Sequence, residues 1–276
     1  MSLPTRSTNR RAPSAHLLPP GTTTRRLTAL SALAVALLLS APQVASAQVK
    51  TIVSGGFRAA YQAALPEFER AANMTVESGS GASQGNGPNT IGAQLARGVE
   101  ADVVIMAKEG LEDLIKAGRI APGTAVDLAQ TPVGLAVRAG SPKPDISTVD
   151  AFKRALLSAK SIAFVDSTVG IYLRTKLFPQ LGVAAQVIPK LTTAGVAAVA
   201  DGRADFTIQP LSEVTNQKDI DVVGTLPQEI QYISVFSAAI VANAAHPAAA
   251  RALVDFYASD RARTAMTNSG MQPMQH

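Results

Sequence analysis

The 276-residue sequence contains no cysteine and no tryptophan, and tyrosine occurs only four times. Without cysteine the chain has no disulfide framework, no thiol nucleophile and no attachment point for a lipid anchor, so its stability has to come from a hydrophobic core. The scarcity of aromatic rings disfavours a carbohydrate-binding site, because sugar faces are usually held on such rings.

Signatures of metal and cofactor chemistry are also missing. His246 precedes a predicted helix and His276 ends the chain, so they do not have the spacing of metal ligands. The sequence has no phosphate-loop signature and no Gly-x-Ser-x-Gly elbow. We therefore expect no metal ion, no cofactor and no serine triad.

The formal net charge of +5 comes entirely from the first 47 residues. That segment holds five arginines and no acidic residue, which leaves 20 of the 25 basic residues against 20 acidic ones in the rest of the chain. No run of lysine or arginine follows residue 48. A neutral chain without a basic cluster does not indicate a nucleic-acid partner.

The first 47 residues have the pattern of a secretion signal. Arg25 and Arg26 precede an apolar run at residues 27–39, and Ala45-Ser46-Ala47 supplies the small residues that a signal peptidase accepts. The run is too short to favour a membrane span, and no later segment reaches the necessary length. We predict cleavage after Ala47 and a soluble protein released into the periplasm.

The chain after the leader alternates between segments of strand and helix character. In its first part the predicted strands are 50–53, 74–77 and 102–106, and the predicted helices are 57–72, 90–97 and 109–117. This order favours a parallel sheet covered by helices on both faces. Pro66 is expected to kink or split the first helix.

A second α/β unit follows, bracketed by two long strand-like segments at residues 131–138 and 232–241. Between them, strands are predicted at 161–165, 186–188, 205–208 and 222–225, and helices at 151–159, 171–181 and 193–200. If the two long segments are crossover strands, the chain forms two lobes with a cleft between them. Lobe I would comprise residues 48–131 and 242–276, and lobe II residues 132–241.

Polar turns follow several predicted strands. Residues 78–88 are rich in Gly, Ser and Asn, a composition that brings backbone N–H groups close to a ligand and to a helix N-terminus. Similar turns occur at 54–56, 166–170 and 209–212. Because ligands of open α/β sheets bind beyond the carboxyl ends of the strands, these turns are predicted to converge on an anion site. The alternative for 78–88 is a flexible surface loop.

Four motifs together carry a family resemblance: residues 53–57 (Val-Ser-Gly-Gly-Phe), 79–81 (Gly-Ser-Gly), 98–107 and 201–209. In their order and spacing the chain resembles the type II periplasmic solute-binding proteins, in particular the molybdate-binding-protein-like family. The resemblance covers nearly the whole mature chain. It implies two Rossmann-like α/β domains joined by two hinge strands, a small anion held by hydroxyls and backbone amides, and an inner-membrane ABC permease as partner of a monomer.

Transferred by position, the resemblance makes Ser54 and Ser80 ligands from the first lobe and assigns second-lobe amides to residues 168–170 and 193–196. With neighbouring polar residues, the predicted ligand-binding set is Ser54, Gly55, Gly56, Arg58, Ser80, Gly81, Ser83, Lys108, Thr168, Val169, Gly170, Thr193, Gln209 and Ser212. Gln209 and Pro210 stand where molybdate binders of the family carry Val-Tyr. This difference and the long polar loop favour a larger ligand with carboxylates.

Some members of the same branch resemble aconitate isomerases, which gives an alternative function. Interconverting cis- and trans-aconitate needs a base beside a carboxylate and donors that stabilise the dienolate-like charge. The candidates for the proton step are Asp166, Glu213 and Tyr172, and those for carboxylate pairing are Arg58, Lys108 and Arg174. Asp166 as a helix cap, Glu213 as a surface residue and Tyr172 as a packing residue are the structural alternatives. Transport, isomerisation and a sensor subunit remain open at this point.

Overall fold

The protein is described as a computed structural model that covers residues 48–275. The predicted leader, its cleavage after Ala47 and the terminal His276 lie outside the described residues. Within this range strands and helices alternate from the first strand onward. None of the helices between residues 48 and 275 is long and apolar enough to cross a membrane.

Strands and α-helices follow one another along residues 48–275. The strands are β1 (Gln48–Ser54), β2 (Thr75–Gly81), β3 (Val103–Ala107), β4 (Val126–Arg138), β5 (Ile162–Ala163), β6 (Leu191–Thr192), β7 (Phe206–Pro210), β8 (Ile220–Thr225), β9 (Ile233–Ile240) and β10 (Gln272–Pro273). The α-helices are α1 (Gly55–Ala72), α2 (Ile91–Ala96), α3 (Lys108–Lys116), α4 (Val149–Ser158), α5 (Thr168–Tyr172), α6 (Phe178–Gln180), α7 (Ala184–Val187), α8 (Gly195–Ala200), α9 (Leu211–Val214), α10 (Pro247–Ala258) and α11 (Arg263–Asn268).

The described strands form one sheet with two parallel sections. The strand order is β2-β1-β3-β9-β4-β7-β5-β6, and β8 and β10 pair with β4 off this path. β1 is parallel to β2 and β3, and β5 is parallel to β6 and β7. β9 runs antiparallel to both β3 and β4. The long strand β4 pairs with β9 and β10 in its first part and with β7 and β8 in its last part, so it continues from one section into the other.

Each section of the sheet has its own hydrophobic core. Around β1 and β3, Tyr61 of α1 and Tyr257 of α10 stack at 5.4 Å between ring centroids in one buried cluster, and a second cluster covers the opposite face. Around β5 and β7, the main cluster includes Phe152 of α4 and Phe178 of α6. We call the first section with its helices the first lobe and the other the second lobe. The exact residues at which the lobes meet, predicted at 131/132 and 241/242, remain a prediction.

Strand pairing in the first lobe determines where its polar turns lie. Ser54 is the last residue of β1 and the N-cap residue of α1. The parallel register between β1 and β2 sets Ser54 beside Gly81 and Val53 beside Ser80. β3 ends in the same direction at Ala107. The carboxyl ends of three neighbouring strands therefore meet at one edge of the sheet.

Three details differ from the sequence-based expectation. β2 continues to Gly81, so residues 78–81 of the predicted loop are strand. Residues 186–188 are helical rather than extended, because a segment of three residues is too short for periodicity to separate strand from helix. Helix α1 runs through Pro66 without a break. Pro66 is exposed, so the freed carbonyl faces solvent while the opposite face of α1 stays packed.

Candidate functional site

A cleft of about 460 Å³ is lined by residues of both lobes. Its lining residues are Ser54, Gly55, Gly56, Arg58, Ser80, Gly81, Ala82, Ser83, Asn89, Ala107, Val165, Ser167, Thr168, Val169, Pro210, Glu213, Ser234 and Phe236. Most of them belong to the turns that follow β1, β2, β5 and β7, as expected for ligand sites beyond the carboxyl ends of strands.

The first-lobe side of the cleft is built around the N-terminus of helix α1. The Ser54 side chain makes no capping hydrogen bond, and its Oγ is buried without a partner. The first-turn N–H groups of a helix have no intrahelical acceptors, and the 18-residue α1 carries no acidic residue in that turn. The helix dipole adds positive potential at this end. This side of the cleft is therefore suited to an anion.

Gly56 lets the backbone of α1 come close to Phe236 of β9, which also lines the cleft. A Cβ atom at this position would lie 2.1 Å from Cζ of Phe236, a ring that belongs to the first-lobe core. Only glycine allows this contact, which brings the helix N-terminus against β9.

On the second-lobe side the cleft is lined by Ser167, Thr168 and Val169, at the start of helix α5. The Thr168 Oγ1 atom is buried and has no hydrogen-bond partner. Two further residues next to the lining, Gln209 and Ser212, also bury a polar side-chain atom without a partner. An unpaired buried polar group costs about 1–3 kcal/mol, so its recurrence around one cleft points to a ligand that supplies the missing partners.

Glu213 is the carboxylate that faces this cleft. It lies in helix α9 of the second lobe, directly after β7, and reaches the N-terminal turn of α1. Its Oε2 atom is 3.7 Å from the Cβ position of Gly55, and its Oε1 atom is 3.2 Å from that of Gly56. Burial raises the pKa of Glu213 to about 7, and the positive charge of Arg58 acts in the opposite direction. A group with this pKa can accept and return a proton near neutral pH.

Ten of the eighteen residues predicted for binding or catalysis lie in the cleft lining: Ser54, Gly55, Gly56, Arg58, Ser80, Gly81, Ser83, Thr168, Val169 and Glu213. The other predicted ligand residues are not in the lining. Lys108 forms an ion pair of 2.7 Å with Asp127 and lines a separate depression, and Thr193 is exposed elsewhere. Gln209 and Ser212 are buried beside the cleft, and Gly170 is buried in α5.

The remaining candidates for proton transfer have structural partners. Asp166 accepts a hydrogen bond from Asn86 N at 3.1 Å and pairs with Arg174 at 3.3 Å. Tyr172 stacks on Tyr232 with 4.5 Å between ring centroids, and burial raises its pKa. Neither Asp166 nor Tyr172 belongs to the cleft lining. Their catalytic role remains a prediction, and the geometry favours Glu213.

Several lining residues are absent from the predicted ligand set, among them Asn89, Ser234 and Phe236. Ser167 also lines the cleft and lies in the turn 166–170 that was predicted to reach it. Ser234 and Phe236 lie two residues apart on β9, so they point to the same face of the sheet. The sequence shows residues 232–241 as a long apolar run that predicts a hinge strand, and this run does not mark Ser234 or Phe236 as cleft residues. Within residues 48–275 the structure brings together no group of three His, Asp or Glu residues that could hold a metal ion.

Comparison with known proteins connects this geometry to a family. Residues 49–272 match the family described as bacterial extracellular solute-binding protein. The chain belongs to this family.

The relatives of this solute-binding protein include an enzyme and binding proteins. The aconitate isomerase of a Pseudomonas species is 38% identical over 252 residues, which cover 88% of this chain and 95% of the relative. The periplasmic molybdate-binding protein of Azotobacter vinelandii is 19% identical, with a TM-score of 0.67 over 82% of this chain and 100% of that one. The sulfate-binding protein of Mycobacterium tuberculosis H37Rv is 18% identical, with a TM-score of 0.62 over 83% and 87%. These structures share the two-lobed type II periplasmic-binding-protein fold, which confirms the predicted fold class.

Proposed function

We propose that this solute-binding protein takes up a small polycarboxylate in the interlobe cleft and is an aconitate isomerase, with Glu213 as the group that moves the proton. The observation that carries the proposal is the Glu213 carboxyl group, which faces the ligand space next to the N-terminus of α1. The relative named aconitate isomerase supports the substrate class.

The residues of the cleft suit an allylic proton shift. Glu213 in its ionised form removes a proton from the methylene carbon beside one substrate carboxylate. The electron pair of the broken C–H bond spreads over the allylic carbons and the neighbouring carboxylate. Protonated Glu213, whose proton exchanges with solvent, then delivers a proton to the other allylic carbon, so that the double bond has moved and the atoms of the substrate are conserved. Ser54 Oγ and the N–H groups that begin α1 are the donors that stabilise the developing negative charge.

The described cleft lining offers few charged side chains to balance the negative carboxylates of the substrate. Arg58 is the basic residue of the described cleft lining, and the remaining partners are hydroxyls, Asn89 and backbone amides. We propose that Arg58 pairs with one carboxylate and that Thr168 and its neighbours hold another from the second lobe. Binding by neutral donors keeps Glu213 free of a permanent ion pair, which leaves its proton exchangeable.

The decisive experiment is to incubate the purified protein with cis-aconitate and follow the formation of trans-aconitate by proton NMR. We expect interconversion in both directions, and deuterium in the methylene position when the reaction is run in D₂O. A thermal-shift series with cis-aconitate, trans-aconitate, citrate, molybdate and sulfate is the companion measurement. Stabilisation by molybdate or sulfate alone, without turnover, would contradict the isomerase proposal.

Ligand capture for transport is the second candidate function. It is supported by the family itself, whose members are extracellular solute-binding proteins, and by a cleft whose donors suit any small anion. In this case the protein acts in the periplasm as a monomer and delivers its ligand to an inner-membrane ABC permease. Tight binding of an anion that the protein leaves chemically unchanged is the result that would favour this function.

The unpartnered hydroxyl of Ser54 leads to a prediction about affinity. In Ser54→Ala we expect the dissociation constant for cis-aconitate to rise about tenfold, because a hydrogen bond to a charged group is lost. The free energy of unfolding of the ligand-free protein should stay equal or rise slightly, since Ser54 Oγ has no partner to lose. Calorimetric titration and urea unfolding measure the two quantities.

Ser237→Ala is the matched control for this prediction. Ser237 is also buried, but its Oγ donates a 2.6 Å hydrogen bond to Asp127 outside the cleft lining. Here we expect lower stability and unchanged affinity. If Ser54→Ala destabilises the protein as much as Ser237→Ala does, Ser54 is a structural residue and not a ligand donor.

A further inference from the structure

A polar loop from the first lobe reaches across the mouth of the cleft to the second lobe. This loop, residues 82–89, connects β2 to α2, and we call it the strap. Its neck is closed by hydrogen bonds from Ala82 N to Asn89 O (3.1 Å) and from Ile91 N to Ala82 O (2.9 Å). Gln94 Nε2 donates to the carbonyls of Ser80 and Asn89, each at 3.0 Å. A loop with its ends fixed in this way is a compact projection rather than a loose tether.

The strap is anchored to its own lobe by two side chains. Ser83 Oγ accepts a 2.8 Å hydrogen bond from Ala107 N at the end of β3. Gln84 Nε2 donates to Asp113 Oδ2 at 2.6 Å on helix α3. Since Ala82, Ser83 and Asn89 also line the cleft, the strap is at once part of the binding surface and a fixed part of the first lobe.

At its tip the strap contacts Asp166 of the second lobe. The carboxylate of Asp166 accepts the hydrogen bond from Asn86 N, and the neighbouring Gly85 packs against the backbone carbonyl of Asp166. Gly85 has φ +121°, and a Cβ atom there would lie 2.3 Å from that carbonyl oxygen. Both the backbone conformation and the close approach require glycine. Arg174, 3.3 Å from the other carboxylate oxygen, holds Asp166 in this orientation.

We propose that Asp166 is a positioning residue that clasps the strap and holds the two lobes closed over the ligand. It acts through Asn86 and Gly85, and it does not touch the reacting atoms. The contact can form only when the lobes approach, so its free energy contributes to the closed state alone. We call the contact of Asp166 with Asn86 and Gly85 the clasp. Loss of the clasp lowers the population of the binding-competent state, and the apparent affinity for the ligand falls by the same factor.

A second contact between the lobes supports a closed arrangement independently of the strap. The Tyr232 hydroxyl donates to Glu109 of α3, and the Tyr232 ring stacks on Tyr172 of α5. Tyr232 packs with the core of the second lobe, whereas α3 packs with the first. Because this contact does not involve Asp166, an Asp166 variant should still fold and should still close in part.

The absence of cysteine makes closure directly measurable. Two exposed helix positions, Ala63 in α1 and Arg154 in α4, are replaced by cysteine and spin-labelled. The distance between the two labels is then measured by pulsed electron paramagnetic resonance in the ligand-free protein. We expect Asp166→Ala to broaden the distance distribution and shift it to longer values. Asp166→Asn keeps an oxygen acceptor for Asn86 N and should stay close to the parent distribution.

Asp113→Ala is the matched control, because it removes a strap contact of the same kind within the first lobe. It should leave the interlobe distance unchanged. If Asp113→Ala and Asp166→Ala change the distance equally, order within the strap and not the clasp controls closure. If neither variant changes the interlobe distance, Asp166 does not stabilise the closed state. Both results overturn the proposal, and both are independent of which anion the cleft takes.

Steady-state kinetics with cis-aconitate separate positioning from catalysis. For Asp166→Ala we expect KM to rise about tenfold with kcat within twofold of the parent protein, and Asp166→Asn should restore KM. A base would behave differently, since both variants would lose at least a hundredfold in kcat. That pattern would make Asp166 a catalytic residue and would contradict the clasp.

Discussion

Replacing Glu213 by glutamine is expected to lower kcat for the interconversion of cis- and trans-aconitate by about 10²–10⁴-fold, the usual contribution of a positioned acid–base group. The amide keeps the shape of the side chain but cannot take up a proton. Binding of either isomer should persist, because the donors at Ser54, Arg58 and Thr168 are untouched. Turnover by NMR and affinity by calorimetry are measured on the same preparation.

The control for this substitution is Glu229→Gln, which changes an exposed glutamate that does not line the cleft. We expect full activity in this variant. A Glu213→Gln protein that retains more than about a tenth of the parent kcat would exclude Glu213 as the proton carrier. Asp166 and Tyr172 would then be the remaining candidates for the base.

The pH dependence of the same reaction provides a further prediction. Because burial raises the pKa of Glu213 to about 7, kcat/KM should decline as the pH falls through about 7, where the carboxylate becomes protonated. The decline should be tenfold for each further pH unit. A profile that stays flat down to pH 5 would mean that the base has an ordinary carboxylate pKa and is another residue.

The second large effect concerns stability. Glu213 has a pKa of about 7 in the folded protein and an ordinary value of 4.5 when exposed. Between these two values the folded state binds more protons than the unfolded state, so the free energy of unfolding falls as the pH rises. The full loss is about 3 kcal/mol, reached above pH 7. Below pH 4.5 both states are protonated and the loss disappears.

Urea unfolding of the parent protein and Glu213→Gln at pH 5 and pH 8 measures this contribution. The variant should be more stable than the parent by about 3 kcal/mol at pH 8 and by much less at pH 5. Titrations of other groups cancel in the comparison between the two proteins. An equal stability difference at both pH values would show that burial does not hold the proton on Glu213. A residue that destabilises the free protein in this way is typical of a functional site.

Most of the fold could be predicted from local patterns. β1 ends at Ser54 and α1 begins at Gly55, close to the predicted bounds, because a β-branched run gives way to helical periodicity at that point. The same patterns failed at residues 186–188, where the segment was too short, and at residues 78–81, where a Gly- and Ser-rich segment lies in a strand. Composition suggested a loop there, but pairing with β1 compensates for the poor strand propensity.

The candidate site was predictable only in part. Turn composition after each strand predicted the segments that contain Ser54, Ser80 and Thr168, since carboxyl ends of parallel strands share one edge. The family resemblance then assigned Ser54 and Ser80 as ligands and residues 168–170 as a source of backbone amides. It could not separate Glu213, which faces the cleft, from Asp166, whose carboxylate binds the strap. The two acidic residues occupy similar positions along the chain, each just after a strand of the second lobe.

The sequence by itself determined the alternation of strands and helices, the chemistry of the turns and the absence of disulfides, because these depend on neighbouring residues and on composition. The tertiary structure alone decided which carboxylate lies in the cleft and which holds a loop across it. Those roles depend on the approach of Glu213 to Gly55 and of Asp166 to Gly85, residues far apart in the chain. The raised pKa of Glu213 follows from burial, and burial exists only after both lobes have folded around the cleft.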